Sequence, residues 1–461
     1  MNDNDSLNSP PDLPMAAAMA EAEADARELA EDGTHYLRGV TDMAERVPVV
    51  TRDAIYTASG IKLVDKGARI DGRLYDRLVE HKLRDPIDRM LSAGDTVDVA
   101  AIEAVALAQC EGGGAGLSAL IARVLGGPGR LLAPLRGLPL PPPLAFKLTV
   151  MRDQRPELFA HSVGVTLVAL YLAIRCGWSE RDATHLAAAA LLHDVGVLHM
   201  DPVWRDPEHK VSGADRRHLV AHPITAMLML RAQPDYPPSV GTAVLEHHER
   251  MDGSGYPRGL QGRDISPMGQ ILMLAEVVAA FFEKYHALAA QRLSLGLRLN
   301  HRKFPAQLVA FILPLLSDGR GTDEALARSP HEDAGRNIAA LEDAFDRWGV
   351  LREGLPPAAL AAGGAQASSF LEERLKALQQ SLIEAGSHPR QQAEILEHLH
   401  SDPQGMAELA LVRREALWQL ESIVHATLRR WPRLGEGSSA DPADAAAAAW
   451  CAHCTLLLAT A

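Results

Sequence analysis

Cysteine is nearly absent: Cys110, Cys176, Cys451 and Cys454 are the only four in 461 residues, too few to staple a chain of this length. Aromatic residues are scarce at 5%. Together with the alanine runs Ala187–Ala190 and Ala445–Ala449, that scarcity shifts the expectation from sheets to helices. Positive charge is also in deficit. A net charge of −13 excludes the broad phosphate footprint of a duplex-binding protein, although it leaves room for a local basic pocket. No run approaches the ~18 consecutive apolar residues of a membrane span. The opening MNDNDSLNSPPDLP has neither the basic start nor the apolar core of a secretory signal. The expectation is a cytoplasmic, reduced, mainly α protein without a membrane partner.

What is present falls into segments. Residues 1–45 read as a flexible start running into an Ala/Glu-rich helix. In VPVVTRDAIYTASGIKLVDKG, residues 47–67, β-branched runs flank a Ser59-Gly60 turn, the pattern of a hairpin. A helix around Leu74–Leu83 follows, so 46–137 is expected to be a small α+β segment, and its GIKLVDKG stretch resembles small regulatory segments of multidomain proteins. The glycines of EGGGAG and GGPG lack the Lys-Ser/Thr of a phosphate loop and read as turns. The Pro-rich LPLPPPL, residues 138–144, marks a boundary. Helical apolar spacing dominates from 145 to 318. Residues 319–368 carry the Gly and Pro breaks of a linker, and 369–461 are helical again, a region able to pack on the central block or to mediate a homodimer. Cys451 and Cys454 form a lone CxxC without apparent partners and read as two thiols on one packed helix.

Histidine is concentrated in the central block, in ELFAH (Glu157, His161), LLHDVG (His193, Asp194), AHP (His222) and LEHHER (His247, His248). Glu157 and His161 are four apart and share one helix face. The apolar AAAALLHD ends in an imidazole and a carboxylate, where unpaired charge is expensive. One such histidine is ordinarily a hydrogen-bonded core residue. Their recurrence at the ends of successive apolar helices points instead to a divalent metal held by imidazoles and carboxylates. His199, just beyond, reads as a surface or capping histidine, with reach to the site as the alternative.

These residues carry a resemblance. From about 145 to 318 the chain resembles an HD-GYP domain, the branch of the HD phosphohydrolase superfamily that hydrolyses cyclic di-GMP. His193-Asp194 matches the HD pair, and Gly255-Tyr256-Pro257 within HHERMDGSGYP matches the GYP signature. The resemblance implies an HD-type helical bundle around a centre of two or three iron or manganese ions. It implies the ligands Glu157, His161, His193, Asp194, His222, His247 and His248, with Asp194 as the bridge and His193 and Asp194 as the catalytic pair. Glu276 stands where the family has a final Asp. Gly255, Tyr256, Pro257 and Arg258 would meet substrate at the mouth of the site, and Asp252 would orient a histidine or cap the loop. The implied reaction is hydrolysis of cyclic di-GMP by a hydroxide activated between two metals about 3.5–4 Å apart.

The chain departs from the pattern where substrate is held. The family's Lys three residues after the HD Asp is Val197. Downstream, an Asp is replaced by Ala279 and an Arg-Pro pair by Tyr285-His286. Arg250, Arg258, Arg263 and Lys284 are candidate replacement cations. A regulatory protein with weak or no turnover, and a phosphohydrolase on another nucleotide, stand as the alternatives.

Overall fold

The structure, a computed structural model, describes residues 33–112, 116–201, 215–284, 289–317, 332–361, 366–384, 403–436 and 441–460. They form two compact units. The described part of the first runs from 33 to 283 and takes in Gln307–Phe311; the second comprises the described residues of 284–306 and of 312–460.

In the first unit, α1 (Thr34–Ala44) precedes β1 (Val49–Thr51), β2 (Ile55–Tyr56) and β3 (Lys62–Val64), then α2 (Gly72–Val79), α3 (Ile87–Met90) and β4 (Leu91–Ala93). The expected hairpin is shorter than its sequence pattern. β2 and β3 pair antiparallel about Gly60, which takes a positive φ of 86° that glycine tolerates. The first β-branched run, β1, pairs instead with β4, with Val49 opposite Ala93. Both pairs are short, and the segment depends on apolar packing by Val49, Ile55, Ile70, Leu78 and Ile87, all at most 2% exposed.

The helical block follows as α4 (Val99–Glu111), α5 (Leu117–Val124), α6 (Gly129–Arg136), α7 (Pro142–Gln154), α8 (Pro156–Arg175), α9 (Glu180–Leu192), a 3-10 turn (Val195–His199), α10 (Asp215–Arg231), α11 (Pro238–Glu246) and α12 (Pro267–Lys284). α7 and α8 both begin on proline, whose fixed φ suits a helix start and whose missing N–H is not needed there. Among the described residues, α8 alone is long and apolar enough to cross a membrane by length and composition, and most of it is buried in the bundle. A helix apolar on every side is a core helix. α9 starts at Ser179, whose Oγ accepts from the Asp182 N–H. Its alanines Ala187–Ala190 are fully buried, and their small side chains let α8 and α9 approach closely.

The second unit contains α13 (Ala289–Leu299), the end of α14 (Ala306–Ser317), α15 (Glu332–Glu353), α16 (Ala367–Glu384), α17 (Pro403–Arg430) and α18 (Pro442–Thr460). Its core gathers Trp348, Leu371, Leu378, Leu420 and Trp450, and both thiols of the CxxC. Cys451 and Cys454 are buried on one helix, and burial pushes the Cys451 thiol up to about 12 and Cys454 up as well. Such thiols are protonated and inert. The described residues of 284–306, inside the 145–318 stretch read from sequence, belong to this second unit.

Candidate metal centre

Two helices end in the same way. His193 caps α9, and its Nδ1 donates to the Ala190 carbonyl at 2.7 Å. His247 caps α11, and its Nδ1 donates to the Val244 carbonyl at 2.6 Å. Helix C-termini leave carbonyls without intrahelical partners, and here imidazoles take them up. The consequence is chemical. With Nδ1 committed as donor, the neutral ring carries its lone pair on Nε2, and both Nε2 atoms turn into one buried space.

Two donor groups meet there: Asp194, His222, His247 and His248, and beside them His161, His193 and Glu276. Within each, the ligand atoms lie within 4.8 Å of one another, and every residue is buried. In the first, His222 Nε2 is 3.3 Å from Asp194 Oδ1 and 3.1 Å from His248 Nε2, and His247 Nε2 is 3.7 Å from the same Asp194 oxygen. In the second, Glu276 Oε2 is 2.9 Å from His161 Nε2 and 3.2 Å from His193 Nε2. Asp194 joins the groups, since its other oxygen, Oδ2, lies 3.6 Å from His193 Nε2.

The electrostatics follow. Burial pushes the Asp194 carboxyl up, but His193, His222 and His247 outweigh it and hold it well below the usual carboxylate range. Glu276 is treated alike by His161 and His193. Burial lowers His161 and His193, but the neighbouring carboxylates prevail and raise both. His247 is pushed down to about 3 by burial and by His193 and His222, and His248 is lowered by burial and the rings of His247 and His222. The donor set fits divalent cations. Lone pairs converge in a water-poor space, His193 Nε2 makes no hydrogen bond, and backbone carbonyls fix the ligand tautomers as second-sphere partners do in metal sites.

The glycines of the site have steric work. A Cβ at Gly196 would lie 2.3 Å from the His222 carbonyl oxygen, so glycine lets the turn after Asp194 press against α10. A Cβ at Gly255 would lie 2.4 Å from the backbone of Glu249 and Arg250. The loop is held by two buried carboxylates that sequence reading did not single out. Glu249 accepts from the Arg258 and Leu260 N–H groups at 2.7 and 2.9 Å. Glu246 accepts from Arg258 Nη2 at 2.7 Å and from the Ser266 N–H at 2.9 Å. Asp252 caps the turn by accepting from the Ser254 N–H; it does not orient a histidine through that bond.

Several expectations need correction. Glu157 is exposed on the first turn of α8 and outside both donor groups. A helix-face relation places it near His161 in register, but the His161 ring turns into the bundle. The carboxylate that accepts from His161 Nδ1 is Glu283, at 2.9 Å, seven residues beyond Glu276 on α12. Its signal in the sequence is only that spacing, two helical turns along one face. Tyr256 is fully buried and stacks on His248, with centroids 4.6 Å apart, so it backs a ligand instead of lining a mouth. Gly255 and Pro257 are buried beside it, and the Arg258 guanidinium is taken by Glu246. His199 is neither surface nor ligand: it is 1% exposed and bonded to Lys147. Val197 is buried, and Ala279 is a 4% exposed residue of α12; Tyr285-His286 lies outside the described residues.

Comparison with known proteins agrees with this chemistry. Residues 148–298 match the model of the HD domain family. The 3'3'-cGAMP-specific phosphodiesterase 3 of Vibrio cholerae is 32% identical over 144 residues, 31% of this chain and 29% of that protein. The cyclic di-GMP phosphodiesterase response regulator RpfG of Xanthomonas campestris is 35% identical over 115 residues, 24% of this chain and 30% of that one. The cyclic di-GMP phosphodiesterase PA4108 of Pseudomonas aeruginosa is 28% identical over 140 residues, 30% and 34% of the two chains. The matches span about a third of these relatives' own lengths. Among solved structures, the HDG"Y"P protein Bd1817 of Bdellovibrio bacteriovorus aligns over 59% of this chain and 94% of its own, with TM-score 0.32 and 16% identity.

Proposed function

We propose that this chain, which carries an HD domain of the HD-GYP type, is a metal-dependent phosphodiesterase that opens a cyclic dinucleotide, with cyclic di-GMP as its substrate. The observation that carries the reading is the pair of adjoining donor groups with Asp194 between them. His161, His193 and Glu276 would hold one ion; His222, His247 and His248 would hold the other; Asp194, between the two groups, would serve both. Iron or manganese suits this mixture of imidazole and carboxylate. When bound, such a pair supplies Lewis-acid activation of water and neutralises charge on the phosphodiester.

The chain's own residues do the rest. The Ala190 and Val244 carbonyls keep His193 and His247 in one tautomer and one orientation. Tyr256 supports His248 from behind. Glu246 and Glu249 keep the 250–266 loop closed over its own backbone, which keeps the histidines from bulk water and strengthens each electrostatic contact inside. Substrate class follows from the relatives: proteins named as phosphodiesterases of cyclic di-GMP and of 3'3'-cGAMP both match the region.

A second reading, a regulatory protein that binds metal with weak or no turnover, is favoured at two places. Val197 puts a buried isopropyl group where the family has a phosphate-contacting Lys, and Arg258 is committed to Glu246. The experiment is anaerobic loading with Fe(II) or Mn(II), then incubation with cyclic di-GMP and with 3'3'-cGAMP. The enzyme reading expects linear dinucleotide or mononucleotide product from cyclic di-GMP, abolished in His193→Ala/Asp194→Ala. Product from 3'3'-cGAMP alone reassigns the substrate. No product from either above the double-variant background would falsify the enzyme reading and leave the second.

A further inference from the structure

We propose that Tyr36, Asp88, Lys147 and His199 form a buried clamp by which the N-terminal segment positions the loop that carries Asp194. The proposal rests on the metal-centre reading, but not on turnover.

Asp194 leads directly into the 3-10 turn Val195–His199. Such turns have poor hydrogen-bond geometry and are used in short pieces, and this one is tied locally by the Val197 N–H to the Asp194 carbonyl. A short turn of that kind needs outside support if the carboxylate at its head is to face two donor groups at once. Gly196, pressed against the His222 carbonyl, supports the head. His199 is the tail, and it is where the clamp closes.

The His199 ring is 1% exposed and stacks on Tyr36 of α1, centroids 4.5 Å apart and planes 13° from parallel. Its Nε2 is 3.1 Å from Lys147 Nζ on α7. That ammonium is itself buried at 3% exposure, 3.9 Å above the Tyr36 ring centroid and 3.8 Å from Asp88 Oδ2 on α3. A buried ammonium needs compensation. It finds an aromatic face, a carboxylate and an imidazole nitrogen. An ammonium has no lone pair to offer, so Lys147 donates, His199 Nε2 accepts, and the His199 proton sits on Nδ1. Each group therefore fixes the next, from α3 and α1 through α7 to the end of the Asp194 turn. Tyr36, Asp88 and Lys147 all fall outside the matched 148–298 region. The matched region therefore holds only His199 of the four. These are positioning residues, acting on Asp194 through five residues of backbone.

The test uses the full chain in three variants. Tyr36→Phe keeps the ring. Tyr36→Leu removes it. Asp88→Asn/Lys147→Met removes both buried charges together, so neither is left alone. The readouts are Mn(II) affinity, backbone hydrogen exchange over 193–200, and thermal midpoint. For a network of this kind the expected loss is about 2- to 30-fold in metal affinity, with faster exchange over 195–199, in Tyr36→Leu and in the double variant, and with Tyr36→Phe like wild type. Folded Tyr36→Leu and double variants with Mn(II) affinity and exchange over 195–199 both within twofold of wild type would overturn the clamp. A double variant unable to fold would also overturn it, since the four would then be a folding element and not a positioning one. Should wild type bind no Mn(II), the metal reading fails, and exchange over 195–199 alone still decides the clamp.

Discussion

At His247, burial and charge act together, and the result is measurable as a pH dependence. The folded ring titrates at about 3 against an ordinary 6.5. Between those values the unfolded chain binds more protons than the folded one, so stability rises with pH. Read downward, the metal-free protein loses stability as pH falls from 6.5 towards 3. His161 and His193 are raised, so their contribution is complete below 6.5 and is lost only as pH rises through their folded values. Thermal midpoints in chelator between pH 4 and 6.5 are expected to fall with pH, and to fall less steeply in His247→Gln. Equal slopes in the two proteins contradict the assignment. The carboxylates give a second residue-scale test. Glu283 holds His161 Nδ1, and loss of such outer partners weakens metal binding by about 10- to 100-fold. Glu283→Ala is therefore expected to reduce Mn(II) affinity by about tenfold or more, and to do so more than Glu157→Ala; the reverse order restores Glu157 as the ligand. Glu157 was legible as a candidate because four-residue spacing sets two side chains on one face. Which way the side chain then turns is decided by packing, which spacing does not encode.

Among the elements, the Asp194 turn and the 250–266 loop decide whether the site assembles. The turn fits only because residue 196 has no side chain. Gly196→Ala places a methyl group 2.3 Å from the His222 carbonyl oxygen, against backbone that cannot step aside. Overpacking of this kind costs about 1–3 kcal/mol, and the displaced partner is the backbone of a donor residue. The expected outcome is a lowered thermal midpoint together with weakened Mn(II) binding, read by calorimetry on the same samples. A variant with lowered midpoint and wild-type affinity shows that the turn and the site are independent. The HD pair and GYP signature were legible because each is local, a few residues that fold as one turn. β1 pairing with β4 was not, because strands of three residues some 40 apart in sequence carry no local signal and register is fixed by the surrounding core. His199 was misread for the same reason: its burial is made by Tyr36 and Lys147, far upstream.

For the whole molecule, the division into two compact units sets both donor groups in the first, whose described part includes the N-terminal α+β segment as well as the HD helices. The helical character of the central block was legible from apolar spacing, but its bounds were not: the first unit runs on through the Pro-rich 138–144 stretch, and the expected linker 319–368 contains α15, whose Leu341 and Trp348 lie in the second unit's core. The allocation of the described residues of 284–306 to the second unit was not legible either, because periodicity tells that a helix buries a face and not which neighbour buries it. The second unit holds its thiols protonated in a core around Trp450 and brings no metal-ligating group of its own among the described residues. Two ions held by the first unit's two donor groups, joined by Asp194, are what the proposed function requires. The direct measurement is metal stoichiometry after anaerobic loading with Mn(II) and gel filtration, on wild type and on Asp194→Ala. The expected content is about two ions per chain in wild type and fewer than one in the variant. About zero in wild type, or the same content in both proteins, would contradict it.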